Sequence, residues 1–198
     1  MTNPKIAIIV GSLRKNSVNR KVAQAMAALA ADRLDCSIVE IGNLPLFNED
    51  IEASPPAEWV TFKAAIAAAD GVLFVTPEYN RSIPGALKNA IDVGSRPYGQ
   101  SAWEKKPAAV VTASPSGQGG FGCNHHLRQS CVFLDMPMMQ QPEAYLGGVS
   151  DKSFAEDGSL SDPELAKLVK RIALAFADWV DLINAGRAAL VGDPSHQA

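Results

Sequence analysis

The sequence predicts an α/β protein, a three-layer sandwich in which helices cover both faces of a five-stranded parallel sheet. Three observations point there. Short runs rich in β-branched residues alternate with alanine-rich stretches of helical period. The short runs are apolar at nearly every position rather than at every second one, as strands buried on both faces are. The chemically unusual loops follow the first, third and fourth of these runs, on the carboxyl side, the edge at which open α/β sheets bind ligands.

The first strand, Lys5 to Val10, ends abruptly at Gly11. A short loop with Ser12, Leu13, Arg14 and Asn16 follows, and Ser17 is the candidate N-cap of a helix marked by Val18, Val22, Met26 and Leu29. The first turn of a helix leaves N–H groups unpaired, and these attract anions together with the helix dipole. Ser12, Ser17 and Asn19 add neutral donors and Arg14 a full positive charge, so this loop is a candidate phosphate site.

A second strand spans Cys36 to Ile41, and an irregular stretch runs from Gly42 to Asp50. Pro55-Pro56 opens a helix from about Ala57 to Ala69. Asp70-Gly71 turns into the third strand, Val72 to Thr76, whose exit loop Pro77 to Gly85 carries two prolines and leads to a helix over Ala86–Val93. The fourth strand, Pro107 to Ala113, enters the third loop, Ser114 to Gly120, and a helix from Gly122 to Leu134. The fifth strand falls within Met138 to Leu146. The last helix has an unbroken stripe of Leu165, Leu168, Val169, Ile172, Phe176, Trp179, Val180 and Ile183. Ser161-Asp162-Pro163-Glu164 supplies its capping pattern and Gly186 its expected stop. Five such units suggest the flavodoxin-like strand order 2-1-3-4-5. The expected organisation is a single domain over 1–186 with a loose tail over 187–198.

Composition narrows the function classes. With 198 residues, 47% apolar and 20% charged, the chain can bury one sizeable core. A formal charge of −3 offers no bulk attraction for nucleic acid. No apolar run approaches the roughly 18 residues of a bilayer span, so no membrane insertion is expected. The chain enters its first strand without a charged-then-apolar leader. Three cysteines without CxxC spacing suggest reduced thiols in the cytoplasm rather than a disulfide framework or a zinc site. Adjacent His125 and His126 point to different faces of a helix, and are read as packing or surface residues rather than metal ligands. GxGxxG after the first strand, GxxxxGK[ST], HExxH and GxSxG are all absent. One phosphate cradle beside a rigid loop bearing Tyr and Asn suits a mononucleotide better than a dinucleotide.

Two stretches carry a resemblance. Gly11-Ser12-Leu13-Arg14-x-x-Ser17-x-Asn19, followed by Pro77-Glu78-Tyr79-Asn80-x-Ser82-x-Pro84-Gly85-x-Leu87-Lys88-Asn89-Ala90-Ile91-Asp92, resembles the NADPH-dependent FMN reductase family, with bacterial chromate and quinone reductases as its nearest branch. His125-x-Leu127-Arg128-Gln129 and Gln141-Pro142-Glu143 extend the likeness to about Gly148. The resemblance implies bound FMN, NADPH or NADH as co-substrate, and quinones or chromate as oxidants. It assigns the FMN phosphate to the first loop (Ser12, Leu13, Arg14, Ser17, Val18, Asn19). The isoalloxazine falls to Pro77, Glu78, Tyr79, Asn80 and Arg81, mostly through backbone amides, and a further flavin contact to Ser114. It implies no catalytic acid or base, a ping-pong hydride reaction, and a homodimer or homotetramer in which Arg128 and Glu143 cross between subunits. Two other readings stay open from sequence, a flavodoxin-like electron carrier and a scaffold of this fold without a ligand.

Overall fold

A computed structural model describes residues 2–191. Five strands, β1 (Lys5–Val10), β2 (Asp35–Val39), β3 (Gly71–Thr76), β4 (Ala108–Ser114) and β5 (Ala144–Gly147), form one parallel sheet in the order β2-β1-β3-β4-β5. Five α-helices connect and follow them: α1 (Val18–Leu29), α2 (Ala57–Ala67), α3 (Gly85–Ser95), α4 (Phe121–Phe133) and α5 (Pro163–Val191). The expected flavodoxin-like sandwich is the observed one.

Side chains alternate across each strand, and both faces are buried. On one face Ala7, Ile9, Val72, Phe74 and Val110 meet Trp59, Phe62, Leu87, Trp103 and Leu127. On the other, Ile6, Ile8, Val10, Leu73, Val75 and Val111 meet Val22, Met26, Val169, Ile172, Phe176 and Val180. This double burial is why the strands read as continuous apolar runs. Each fully buried large side chain contributes about 1.5–3 kcal/mol of transfer free energy.

Several boundaries differ from expectation. β2 ends at Val39 rather than Ile41, because Ile41 leaves the sheet edge and packs with Leu44 in the core beside Trp59. α2 ends at Ala67, two residues before Ala69. Ser114 closes β4 instead of opening the loop, since it pairs with Gly147 of β5. α5 does not stop at Gly186. A glycine costs a helix about 1 kcal/mol, and the good helix formers after it carry α5 to Val191. Asn184 Nδ2 and Arg187 Nη1 tie this last stretch to the carbonyls of Asp70 and Lys105, at 3.1 and 2.9 Å. The expected loose tail is therefore helical over 187–191, and the rest of it lies outside the described residues. At the other end of α5 the cap is Asp162, whose Oδ1 accepts from Glu164 N at 2.9 Å, with Pro163 as the first helical residue. Among the described residues no helix is long and apolar enough to cross a membrane.

One glycine sets the start of the first loop. Gly11 N donates to Val75 O at 2.9 Å, adding a last rung between β1 and β3. A Cβ on Gly11 would lie 2.1 Å from Thr76 Oγ1 and 2.7 Å from Thr76 Cβ, inside a buried contact. Gly11→Ala is expected to cost about 1–3 kcal/mol through overpacking, read as a lower urea midpoint. An unchanged midpoint would show that this close approach is not required.

Candidate functional site

The turn between β1 and α1 is built to leave donors free. Ser17 caps α1, its Oγ accepting from Arg20 N at 3.2 Å, and Ser12 Oγ accepts from Arg14 N at 3.4 Å. The backbone N–H groups of Leu13, Lys15, Asn16, Ser17, Val18 and Asn19 meet no acceptor among the described residues. Ser12, Ser17 and Asn19 are buried, whereas Leu13 and Arg14 are exposed at the rim and Val18 is half-buried. Unpaired amides at a helix N-terminus form an anion site by geometry and by dipole.

Asn19 joins this turn to a strand two places away. Its Nδ2 donates to Ala113 O near the end of β4 at 3.2 Å, reaching past β3. Its Oδ1 is the only buried side-chain polar atom without a partner among the described residues. Such an atom costs about 1–3 kcal/mol until a donor reaches it.

The second loop is a tight turn. Thr76 Oγ1 donates to Pro77 O at 2.9 Å, and Tyr79 and Ser82 exchange backbone hydrogen bonds of 3.1 and 3.0 Å. Asn80 and Arg81 between them have φ of +51° and +64°. That is the pattern of a type I′ turn, whose left-handed positions cost non-glycine residues about 1–2 kcal/mol each. The strain is held in place by what surrounds it, as at many ligand clamps. The N–H groups of Asn80 and Arg81 face no acceptor among the described residues, and Tyr79 is about half exposed.

Glu78 has a different task. Its Oε2 accepts from Cys123 N in the first turn of α4 at 2.8 Å, and its Oε1 faces Arg81 Nη1 at 3.3 Å. The carboxylate therefore caps α4 and complements its dipole. Only the backbone of Glu78 is left to meet a ligand. Arg81 also donates to the side-chain oxygen of Gln118 in the third loop.

The third loop lies flat against β5. Ser114 Oγ accepts from Ser116 N at 3.1 Å, and Ser116 O accepts from Gly119 N and Gly148 N at 3.1 and 3.3 Å. Gly119 has φ of +60°, and a Cβ there would sit 2.6 Å from the Tyr145 backbone. The loops after β1, β3 and β4 thus leave the same carboxyl edge of the sheet, where Asn19 ties the first to the end of β4 and Arg81 ties the second to Gln118 of the third. The expected site residues, Ser12 to Asn19, Pro77 to Arg81 and Ser114, all lie along that edge.

Some positioning residues were not assigned a role from sequence. Asn89 sits buried in α3, where Oδ1 accepts from Phe47 N at 2.8 Å and Nδ2 donates to Pro45 O at 3.1 Å, fastening the segment after β2. A buried Asn within a helical apolar pattern was the available signal. Asn124 Nδ2 donates to Val110 O at 3.2 Å, while Arg128 donates to Asn124 Oδ1 and to Met139 O, both at 2.9 Å. Arg128 is thus engaged within its own chain.

His125 meets the Tyr145 hydroxyl at 2.9 Å and His126 meets Ser82 Oγ at 2.8 Å, both on exposed surface. Among the described residues no group of His, Cys, Asp and Glu could hold a metal ion. The thiols are not poised to react. Burial pushes Cys123 and Cys131 up to about 12 and Cys36 up to about 11. A separate concavity of about 790 Å³ between α1 and the segment around Phe154 contains none of the loop residues.

Comparison with known proteins agrees with this geometry. The profile of the family described as NADPH-dependent FMN reductase matches residues 4–151. A quinone reductase of Pseudomonas putida is 61% identical over 184 residues, covering 91% of this chain and 96% of that protein. A 2-hydroxy-1,4-benzoquinone reductase of Burkholderia is 43% identical over 176 residues, covering 89% and 96%. Among solved structures, FerB, a flavoenzyme NAD(P)H:(acceptor) oxidoreductase of Paracoccus denitrificans, superposes with a TM-score of 0.86 at 41% identity, covering 90% of this chain and 97% of that one.

Proposed function

The chain belongs to the NADPH-dependent FMN reductase family, and we propose that it passes a hydride from NAD(P)H through bound FMN to quinones. The observation that carries this reading is the gathering of unused backbone donors on loops that leave one edge of the sheet. Free amides lie at the start of α1 and in the Asn80–Arg81 turn. They suit a phosphate and the polar edge of a flat ring, in that order. The printed names of the relatives support a quinone as the oxidant.

FMN supplies the hydride chemistry, and the protein supplies position and electrostatics. Ser12 through Asn19 would hold the phosphate by backbone N–H donation, with Arg14 adding charge beside it. The Asn80 and Arg81 amides, already fixed by the turn, would stabilise negative charge at the ring's polar edge without reorganising. Pro77 and Pro84 hold the loop that carries them, and Ser114 borders the crevice from the third side. Both carboxylate oxygens of Glu78 are engaged, so this side chain is not placed to act as an acid or base. NAD(P)H and the oxidant therefore use one open face in turn. We include chromate among the oxidants on the motif likeness alone.

Assembly follows from the outer face of α4. Val132 and Phe133 are 72% and 87% exposed. They stand beside a groove of about 430 Å³ between α3 and α4, lined by Ile91, Asp92, His126 and Phe133 among others. We assign this face to a second copy of the chain, giving a homodimer that can pair again into a homotetramer, because a two-fold contact buries the same apolar pair on both sides. Arg128, tied to Asn124 and Met139, is not needed for it. We place the protein in the cytoplasm on its three free thiols.

Two measurements test these readings. In anaerobic stopped flow, NADPH is expected to bleach the flavin before any oxidant is added, and a quinone to restore the colour. Flavin that stays oxidised until a partner reductase is supplied would instead identify an electron carrier. On sizing chromatography Phe133→Asp should elute as a smaller species than the parent chain; an unchanged elution volume would place the contact elsewhere.

A further inference from the structure

The mouth of the crevice carries a cation with weak partners. Arg81 occupies the second central position of the 79–82 turn, and its side chain is 72% exposed. One partner is Glu78 Oε1 at 3.3 Å, and the other is the neutral side-chain oxygen of Gln118 on the opposite wall. An exposed ion pair is worth about 0.2–1 kcal/mol and is screened by salt. Glu78 cannot follow the guanidinium outward, because its other oxygen is held by Cys123 N at 2.8 Å and its side chain is only 12% exposed. Gln118 contributes no charge. The resting contacts thus orient Arg81 toward Gln118, with one anionic partner, Glu78, whose carboxylate is anchored on α4 at 3.3 Å from the guanidinium.

We propose that Arg81 is a specificity-determining residue that exchanges these partners for an anionic oxygen on the oxidant, so that quinones bearing a negative charge are favoured over neutral ones. This rests on the function proposed above. A guanidinium is suited to the exchange, because its fixed fork of donors matches the paired oxygens of a sulfonate or carboxylate. Gln118 serves as the neutral placeholder. It accepts one N–H in the resting protein and releases it without leaving a buried charge behind. The effect lies in binding, and the transfer chemistry is the same for both kinds of oxidant.

The probes are 1,4-naphthoquinone and 1,4-naphthoquinone-2-sulfonate, each assayed with NADPH and normalised to bound flavin. The quantity read is the ratio of kcat/KM for the sulfonate to that for the neutral quinone, in which any common loss through the flavin cancels. Arg81→Gln is expected to lower this ratio about tenfold, the equivalent of one charge-assisted contact, through KM rather than kcat. Arg81→Lys should retain most of the ratio. Added salt should lower it in the parent protein but not in Arg81→Gln. A ratio unchanged in Arg81→Gln while both quinones still turn over would overturn this proposal and leave the proposed function standing. A fall in the NADPH-to-NADH ratio in place of the quinone ratio would overturn it too, by assigning Arg81 to the reductant. Failure of NADPH to reduce the flavin of the parent protein would overturn both.

Discussion

The hydrogen bond from Asn19 Nδ2 to the Ala113 carbonyl, 3.2 Å long and buried, holds the site in register. It ties the amino end of α1 to the end of β4 across the top of β3. The anion cradle and the third loop thereby become two walls of one space. The same residue buries its Oδ1 without a donor, a cost that the tie to β4 has to outweigh. The parallel sheet makes this arrangement possible, because it directs every strand end, and every following helix N-terminus, toward one edge.

Much of the polar chemistry in the two motifs holds backbone rather than touching a ligand. Glu78 spends its carboxylate on the first turn of α4, Asn89 fastens the segment after β2, and Asn124 with Arg128 secures the chain around Met139. These ties free the amides of the Asn80–Arg81 turn to face outward in a conformation that isolated residues disfavour. The backbone can carry the binding surface because the side chains have fixed its shape. Charge enters chiefly at the rim, through Arg14 and Arg81, where water and salt reach it.

The fold was legible in the sequence because doubly buried parallel strands leave a signal of continuous apolar runs that loops cannot imitate. The convergence of three loops followed from strand order alone. Element ends were less legible. Ile41 looks like a strand residue but is buried in the core beyond the strand, and Gly186 looks like a stop but lies inside a helix fastened by Asn184 and Arg187. Both outcomes depend on distant contacts that no local pattern encodes. That the candidate residues gather along one edge could be read from sequence, but which of them spend their side chains on holding backbone could not. Nothing in the residue types shows that Glu78 faces a helix while its neighbours' amides face the crevice.

The central claim is that the turn from Ser12 to Asn19 holds a phosphate. The direct measurement is a titration of flavin-free protein with FMN and with riboflavin, which differ only in that group. FMN is expected to bind at least about 100-fold more tightly, a difference of ~2.7 kcal/mol, with the gap narrowing as salt or inorganic phosphate is added. Equal affinity for the two flavins would contradict the account, because the free amides at the start of α1 would then have no part in binding.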